Sequence, residues 1–316
     1  MELTSIRRFP AVRGLRGLRR LQCRESILAM PLALAMTVNV GFIIGLTFVP
    51  GLWSVVEYLF PLALITFLAI GILALRMLGG FVGARLAQGG FSCETNNSFA
   101  QMLPAFALSM VAVGLAAPSA MSGNATVAGV SIIASSFFMI AAVLIALVAG
   151  VLGLRSMMEN GVNTEAAPTL MVVIPLMTVI GIAMLRMNHG LHVHFDVHGG
   201  AGETLMMLTR LLSVEVLFGL FGVMVLSRVG YAAQFLSGTA ASAGSYALVC
   251  PGVALSVLTH FWLNKGLAAA GLVAKFGVAY WAISGIAIAL QLGMILLVWQ
   301  LGRKHFTTLA SPTVPA

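Results

Sequence analysis

The sequence predicts an all-α integral membrane protein of about eight transmembrane helices, arranged as four pseudo-symmetric hairpins around a central pore. Three observations predict it. Of 316 residues, 60% are hydrophobic and 8% charged, with mean hydropathy +1.04, a composition outside the range of soluble domains. The apolar residues fall into eight runs, each long enough to cross a hydrocarbon core about 30 Å thick at ~1.5 Å per residue. Prolines recur inside four of those runs, at Pro31, Pro104, Pro175 and Pro251, which are 73, 71 and 76 residues apart. That period is too long for a solenoid repeat and suits a pair of membrane helices with their loops.

Residues 1–26 form a basic leader with seven arginines and interspersed leucines, suited to anionic lipid at the cytoplasmic surface. The transmembrane domain covers residues 27–301. Its first span is expected at about 27–49 and its second at 55–75, joined through Pro50 and Gly51, a turn pair. A polar, glycine-rich link from Arg76 to Asn97 returns the chain. The third span is expected at 98–117 and the fourth at 126–154. Asn163, Thr164, Glu165 and Pro168 read as a helix start for span five, 168–185. Span six is expected at 204–226, span seven at 245–263 and span eight at 272–301, followed by a cytoplasmic tail, 302–316.

Charge sets the expected orientation. With the N-terminus inside, thirteen Lys and Arg lie on the cytoplasmic side, against four on or near the other, Arg186, Arg210, Lys265 and Lys275. Both termini are therefore expected in the cytoplasm of a multi-pass protein of the cell inner membrane. The formal net charge of +8 is spread between apolar runs, so it reads as topology and no nucleic-acid partner is expected. Cys23, Cys93 and Cys250 share no metal or disulfide spacing. Without a Walker loop, nucleophile elbow or HExxH motif, no enzyme and no cofactor are expected.

A proline removes a backbone hydrogen bond and bends a helix, which lipid penalises unless protein or water satisfies the freed carbonyl. Four prolines at matching depth in the odd spans therefore point to odd spans facing a protein-lined centre, with even spans outside. The residues before them, Met30, Leu103, Ile174 and Cys250, would form a largely apolar constriction of the kind that gates by dewetting. One turn further on, Thr37, Ser109, Thr178 and Ser256 offer hydroxyls to a partly dehydrated anion; alternatively each bonds back to its own helix.

Three other features carry chemistry. Glu215 lies near the middle of span six, where a carboxylate costs on the order of 2.5 to 3.5 kcal/mol. It serves either proton or substrate coupling, or a structural pair with Arg210 or Lys275. His189, His192, His194 and His198, with Asp196, crowd the stretch after span five; on a strand His192 and His194 would share a face as transition-metal ligands. Gly41 and Gly45 form a small-xxx-small pair for close helix packing.

The four proline segments, the stretch AQGGFSCETNNSFAQMLPAF from Ala87 to Phe106, and Met187-Asn188-His189-Gly190 together resemble the family of the tellurite-resistance protein TehA, plant slow-type anion channels and fungal C4-dicarboxylate carriers. The resemblance covers about residues 27–301. It implies proline-kinked inner helices around a pore, a lipid-embedded homo-oligomer (a trimer), and transport of small inorganic or organic anions. The family looks like five hairpins and this chain like four, the first replaced by the arginine-rich leader. Where the family places a plugging phenylalanine before the last inner proline, this chain has Cys250. The expected function is thus channel-like conduction or export of small anions such as tellurite or related oxyanions. The alternatives are a proton-coupled carrier of organic dicarboxylates and, in another class, a membrane metal-binding or redox protein.

Overall fold

The computed structural model describes residues 10–89 and 97–309. The first nine residues of the leader, Cys93 with most of the polar half of the Ala87 to Phe106 stretch, and the end of the tail lie outside the described residues. Within them the chain is helical throughout, with no strand. Eight helical stretches are long and apolar enough to cross a membrane: Ala29–Phe48, Leu52–Ala84, Phe99–Met121, Ala125–Asn160, Ala167–His194, Ala201–Arg228, Ala243–Leu267 and Val278–Phe306. This is an all-α, multi-pass membrane fold.

Several bounds differ from the sequence expectation. The helix of span two, α2, runs from Leu52 to Gln88, so much of the expected polar link is helical. Span five continues past Leu185 to His194, because its polar residues after Leu185 find partners on span three. Span eight starts at Val278, after a turn in which Gly271 and Phe276 take positive φ. The turn into span two rests on Gly51 at φ +78, a conformation that glycine adopts without steric cost.

The prolines do not act alike. In α1, Pro10–Phe48, Pro31 lies inside a continuous helix. In spans three, five and seven a short 3-10 segment leads directly into an α-helix headed by the proline. Phe99–Met102 precedes α3, Leu103–Leu115; Ala167–Val172 precedes α6, Val173–His194; Ala243–Leu248 precedes α8, Val249–Phe261. Pro104 is the second residue of its helix, and Pro175 and Pro251 the third. The first turn of a helix has no intrahelical use for a proline's missing N–H. These prolines therefore start helices instead of bending them mid-course.

Consecutive odd spans are neighbours, and they meet one repeat apart. Asn39 Nδ2 on span one donates to Met110 O on span three, 71 residues away (3.2 Å). Spans three and five are laced at three levels. Phe99 N donates to Thr169 Oγ1 (3.1 Å, 70 apart), Arg186 Nη1 to Val113 O (2.8 Å, 73 apart), and His194 Nε2 to Ser122 O (2.9 Å, 72 apart). At the lead-in to span seven, Ser242 Oγ donates to Glu165 Oε1, 77 residues back (2.7 Å). Residues separated by one period of the proline repeat thus stand side by side at equal depth.

Burial follows the same order. Span three is buried over 72% of its most apolar stretch and span five over 61%, against 28% and 17% for spans four and six. Span one inverts the rule, at 11% against 39% for span two. Spans one, three, five and seven form a row, each packed on the next, and among the described residues its two ends share no packed interface. Without a hydrophobic drive between helices in lipid, close approach of small residues supplies the attraction. Ala105, Ala107, Ala112, Leu115 and Ala116 of span three are essentially sealed, and the Phe67 ring lies against Gly114. Gly45 touches Leu52, whereas Gly41 meets no neighbour, so the expected close packing at that glycine pair is absent.

Candidate functional site

Span three breaks where the row is most buried. After α3 ends at Leu115, α4 (Ala117–Met121) starts at once, with Pro118 in its first turn. Carbonyls in the last turn of a helix lack intrahelical donors, and Pro118 has no N–H to offer Gly114. Arg186 and Ser131 fill that need at Val113 O and Leu115 O, and Ser135 adds a second donor at Ala112 O, which Ala116 N already meets. Ser135 Oγ donates to Ala112 O (2.8 Å), Arg186 Nη1 to Val113 O (2.8 Å), and Ser131 Oγ to Leu115 O. Span five can reach the break because residue 190 is glycine: a Cβ there would overlap the Ser119 carbonyl.

Arg186 was expected among the flanking basic residues. It lies eight residues inside the end of span five, about 12 Å along the helix. A cation at the C-terminal end of α3 also meets the negative pole of that helix. Arg186 borders a cavity of about 160 Å³ between spans one, two, three and five. Asn39, Phe60, Phe67, Ala117 and Pro118 line it, together with the exposed Ile43 and Trp53, which mark its open side. No carboxylate lines it. The nearest acid in sequence to that wall, Glu57, is occupied by Ser122 Oγ and by Gly123 N (3.2 Å).

A second polar locus sits on the other side of span five. Glu215 is fully buried. Thr178 Oγ1 lies 2.6 Å from Glu215 Oε1 and 3.2 Å from Ile174 O, while Glu215 Oε2 has no partner. The hydroxyl has one hydrogen for two acceptors. Either it donates to Glu215, or it donates to Ile174 and accepts from a protonated carboxyl. The expected partners are not used: among the described residues neither Arg210 nor Lys275 forms an ion pair with Glu215, and Arg210 is exposed.

The residues before the prolines are not equivalent. Met30 is 44% exposed and Cys250 is exposed, whereas Leu103 is half-buried and Ile174 is 2% exposed. Ile174 packs with Met171 and Ala254 and faces Gly219 of span six. Ile174 is thus enclosed between spans five, six and seven, and the four residues before the prolines differ in exposure. The hydroxyls are spoken for. Thr37 Oγ1 donates to Ala33 O, Ser109 Oγ to Phe106 O and Ser256 Oγ to Ala287 O, at 2.7 to 2.8 Å. Backbone satisfaction wins over display, as hydroxyls inside helices commonly do. Pro31, Pro175 and Pro251 are buried and Pro104 is half-buried.

The histidines also part company. His189, His192 and His194 belong to α6, so His192 and His194 sit about 200° apart around a helix and not on one face of a strand. His194 is bound to Ser122, while His192 Nδ1 lies 3.3 Å from both Val197 O and His198 Nδ1. Among the described residues no three metal-ligating side chains converge. No family model, curated protein or solved structure matches the chain.

Proposed function

We propose that this protein transports small anions across a membrane, as a channel-like conduit or exporter of the tellurite-resistance type. The observation that carries the reading is the inner row: parallel spans one, three, five and seven, joined at equal depth by hydrogen bonds one repeat apart. A repeated wall of helices with irregular backbone at membrane depth is tolerated where protein or water covers it, and transporters are commonly built from such internal repeats. A guanidinium beside a cavity in that wall favours an anionic cargo. The resemblance supports tellurite or related oxyanions as cargo, the inner membrane as location and cytoplasmic termini. Reconstituted protein should pass nitrate, sulfite or tellurite faster than protein-free vesicles do; no flux for any member of an anion panel would refute the reading. Reporter fusions at Gly200 and Gly238 should lie on opposite sides of the membrane.

One observation favours a second reading, a proton-coupled carrier. Glu215 holds an oxygen with no partner in a sealed position, as expected of a site that gains and loses a proton during a cycle. Glu215→Gln should then abolish accumulation driven by a pH gradient and leave downhill flux intact. Undiminished accumulation would remove this reading.

A further inference from the structure

We propose that the cavity beside Arg186 is a binding site for a small inorganic anion, with the guanidinium as its charge and the α3–α4 break as its frame. The proposal rests on the reading of the protein as an anion transporter and assigns that reading a location.

Four features of the cavity carry it. Arginine keeps its charge in any environment, so Arg186 brings a cation with no ion-pair partner among the described residues into a mostly apolar part of the fold. Its one hydrogen bond among the described residues is to Val113 O. A guanidinium has five N–H donors, so most of its capacity is uncommitted. An ion pair does not supply the missing negative charge. An anion in the cavity supplies it, and the low dielectric of Phe60, Phe67 and Pro118 strengthens the attraction over its value in water.

Size selects the class of ligand. At about 160 Å³ the space is well below the ~300 Å³ at the lower end of pockets for drug-sized ligands. It suits a halide or a compact oxyanion and disfavours a dicarboxylate with two hydrated ends. Position supplies access. Trp53 opens span two and stands on the open side, the level at which tryptophans meet the membrane–water interface. The same level also offers lipid phosphates, so an oxyanion at Arg186 has two sources. The small volume favours a free ion over a headgroup carrying its acyl chains.

Trp53 lines the cavity and so reports on it. Iodide quenching is titrated on the full chain in maltoside micelles, and the signal of Trp53→Phe is subtracted. The expected result is saturable quenching that nitrate displaces. Arg186→Gln should weaken it at least tenfold, with quenching by neutral acrylamide unchanged. Because Arg186→Gln also unseats Val113, Ala117→Leu provides an independent arm: it fills the cavity without touching that bond and should abolish saturation. Superimposable iodide curves for the wild type and either folded variant would overturn the proposal. So would displacement by short-chain phosphatidylglycerol but not by nitrate, which would assign the site to lipid. Saturable, Arg186-dependent binding without flux in vesicles would keep the site and sink the transport reading. Flux with Arg186-independent quenching would do the reverse.

Discussion

Span five holds two polar loci eight residues apart, and they treat charge in opposite ways. Arg186 sits where a helix has been interrupted, next to open volume, with a backbone carbonyl for a partner and donors to spare. Thr178 holds Glu215 in a sealed contact with one oxygen unmatched. In lipid a buried ionisable group needs a partner, a proton or water. The Arg186 side has room for a mobile partner, and the Glu215 side is sealed. The difference shows how one helix can hold a standing positive charge beside open volume and also keep an acidic group out of reach of solvent.

Four substitutions would break or sharpen that contrast. The largest effect is expected from Arg186→Met, which removes the cation and leaves Val113 O without its donor. Anion flux in vesicles should fall at least ~tenfold, and an orphaned buried carbonyl should cost about 1 to 3 kcal/mol in a thermal melt. Unchanged flux would deny the cavity any part in transport. Gly190→Val should come next. Its side chain would collide with the Ser119 carbonyl and push span five off the break, at a cost on the order of 1 to 3 kcal/mol, and iodide quenching of Trp53 should change with it.

The Glu215 side should respond with the opposite sign. Glu215→Met keeps the volume and removes an unsatisfied polar atom, so stability should rise by about 1 to 3 kcal/mol; a lower melting temperature would mean that Oε2 has a partner or that the contact of Oε1 with Thr178 outweighs it. The smallest change is expected from Thr178→Val, about 1 kcal/mol of destabilisation in the wild type. In the Glu215→Met background it should be close to silent, and a double-mutant cycle reads the difference.

Much of this architecture was legible in the chain. Eight apolar runs gave eight spans, and prolines about seventy residues apart marked helices that stand side by side, since a repeated sequence position becomes a repeated spatial one; they did not mark burial, because span one is more exposed than span two. Glu215 declared itself by its depth, because few carboxylates enter lipid. Less legible were the contacts that set the chemistry. Arg186 resembled a flanking charge because span five was ended at Leu185; the polar residues that follow looked like a loop and are a helix tied to span three through His194. Periodicity could not reveal that Ile174 turns toward Gly219 of span six, since side-chain direction depends on how two helices rotate against each other. The arginine had one readable signal. It stands 73 residues after Val113, at the spacing of the proline repeat, and that spacing places it beside the end of α3.

The order of the inner row also bears on how the protein is made. Each odd span packs on the odd span translated before it, so a hairpin released into the bilayer finds its docking surface already inserted. Domains emerging N-terminal first at ~5–20 residues per second give each pair several seconds to settle before the next arrives. Span three is the keystone of that sequence, with spans one, two, four and five all resting on it. A nascent chain halted after Arg228 would keep that nucleus whole, whereas one that lost α3 would leave the later hairpins with no template to join.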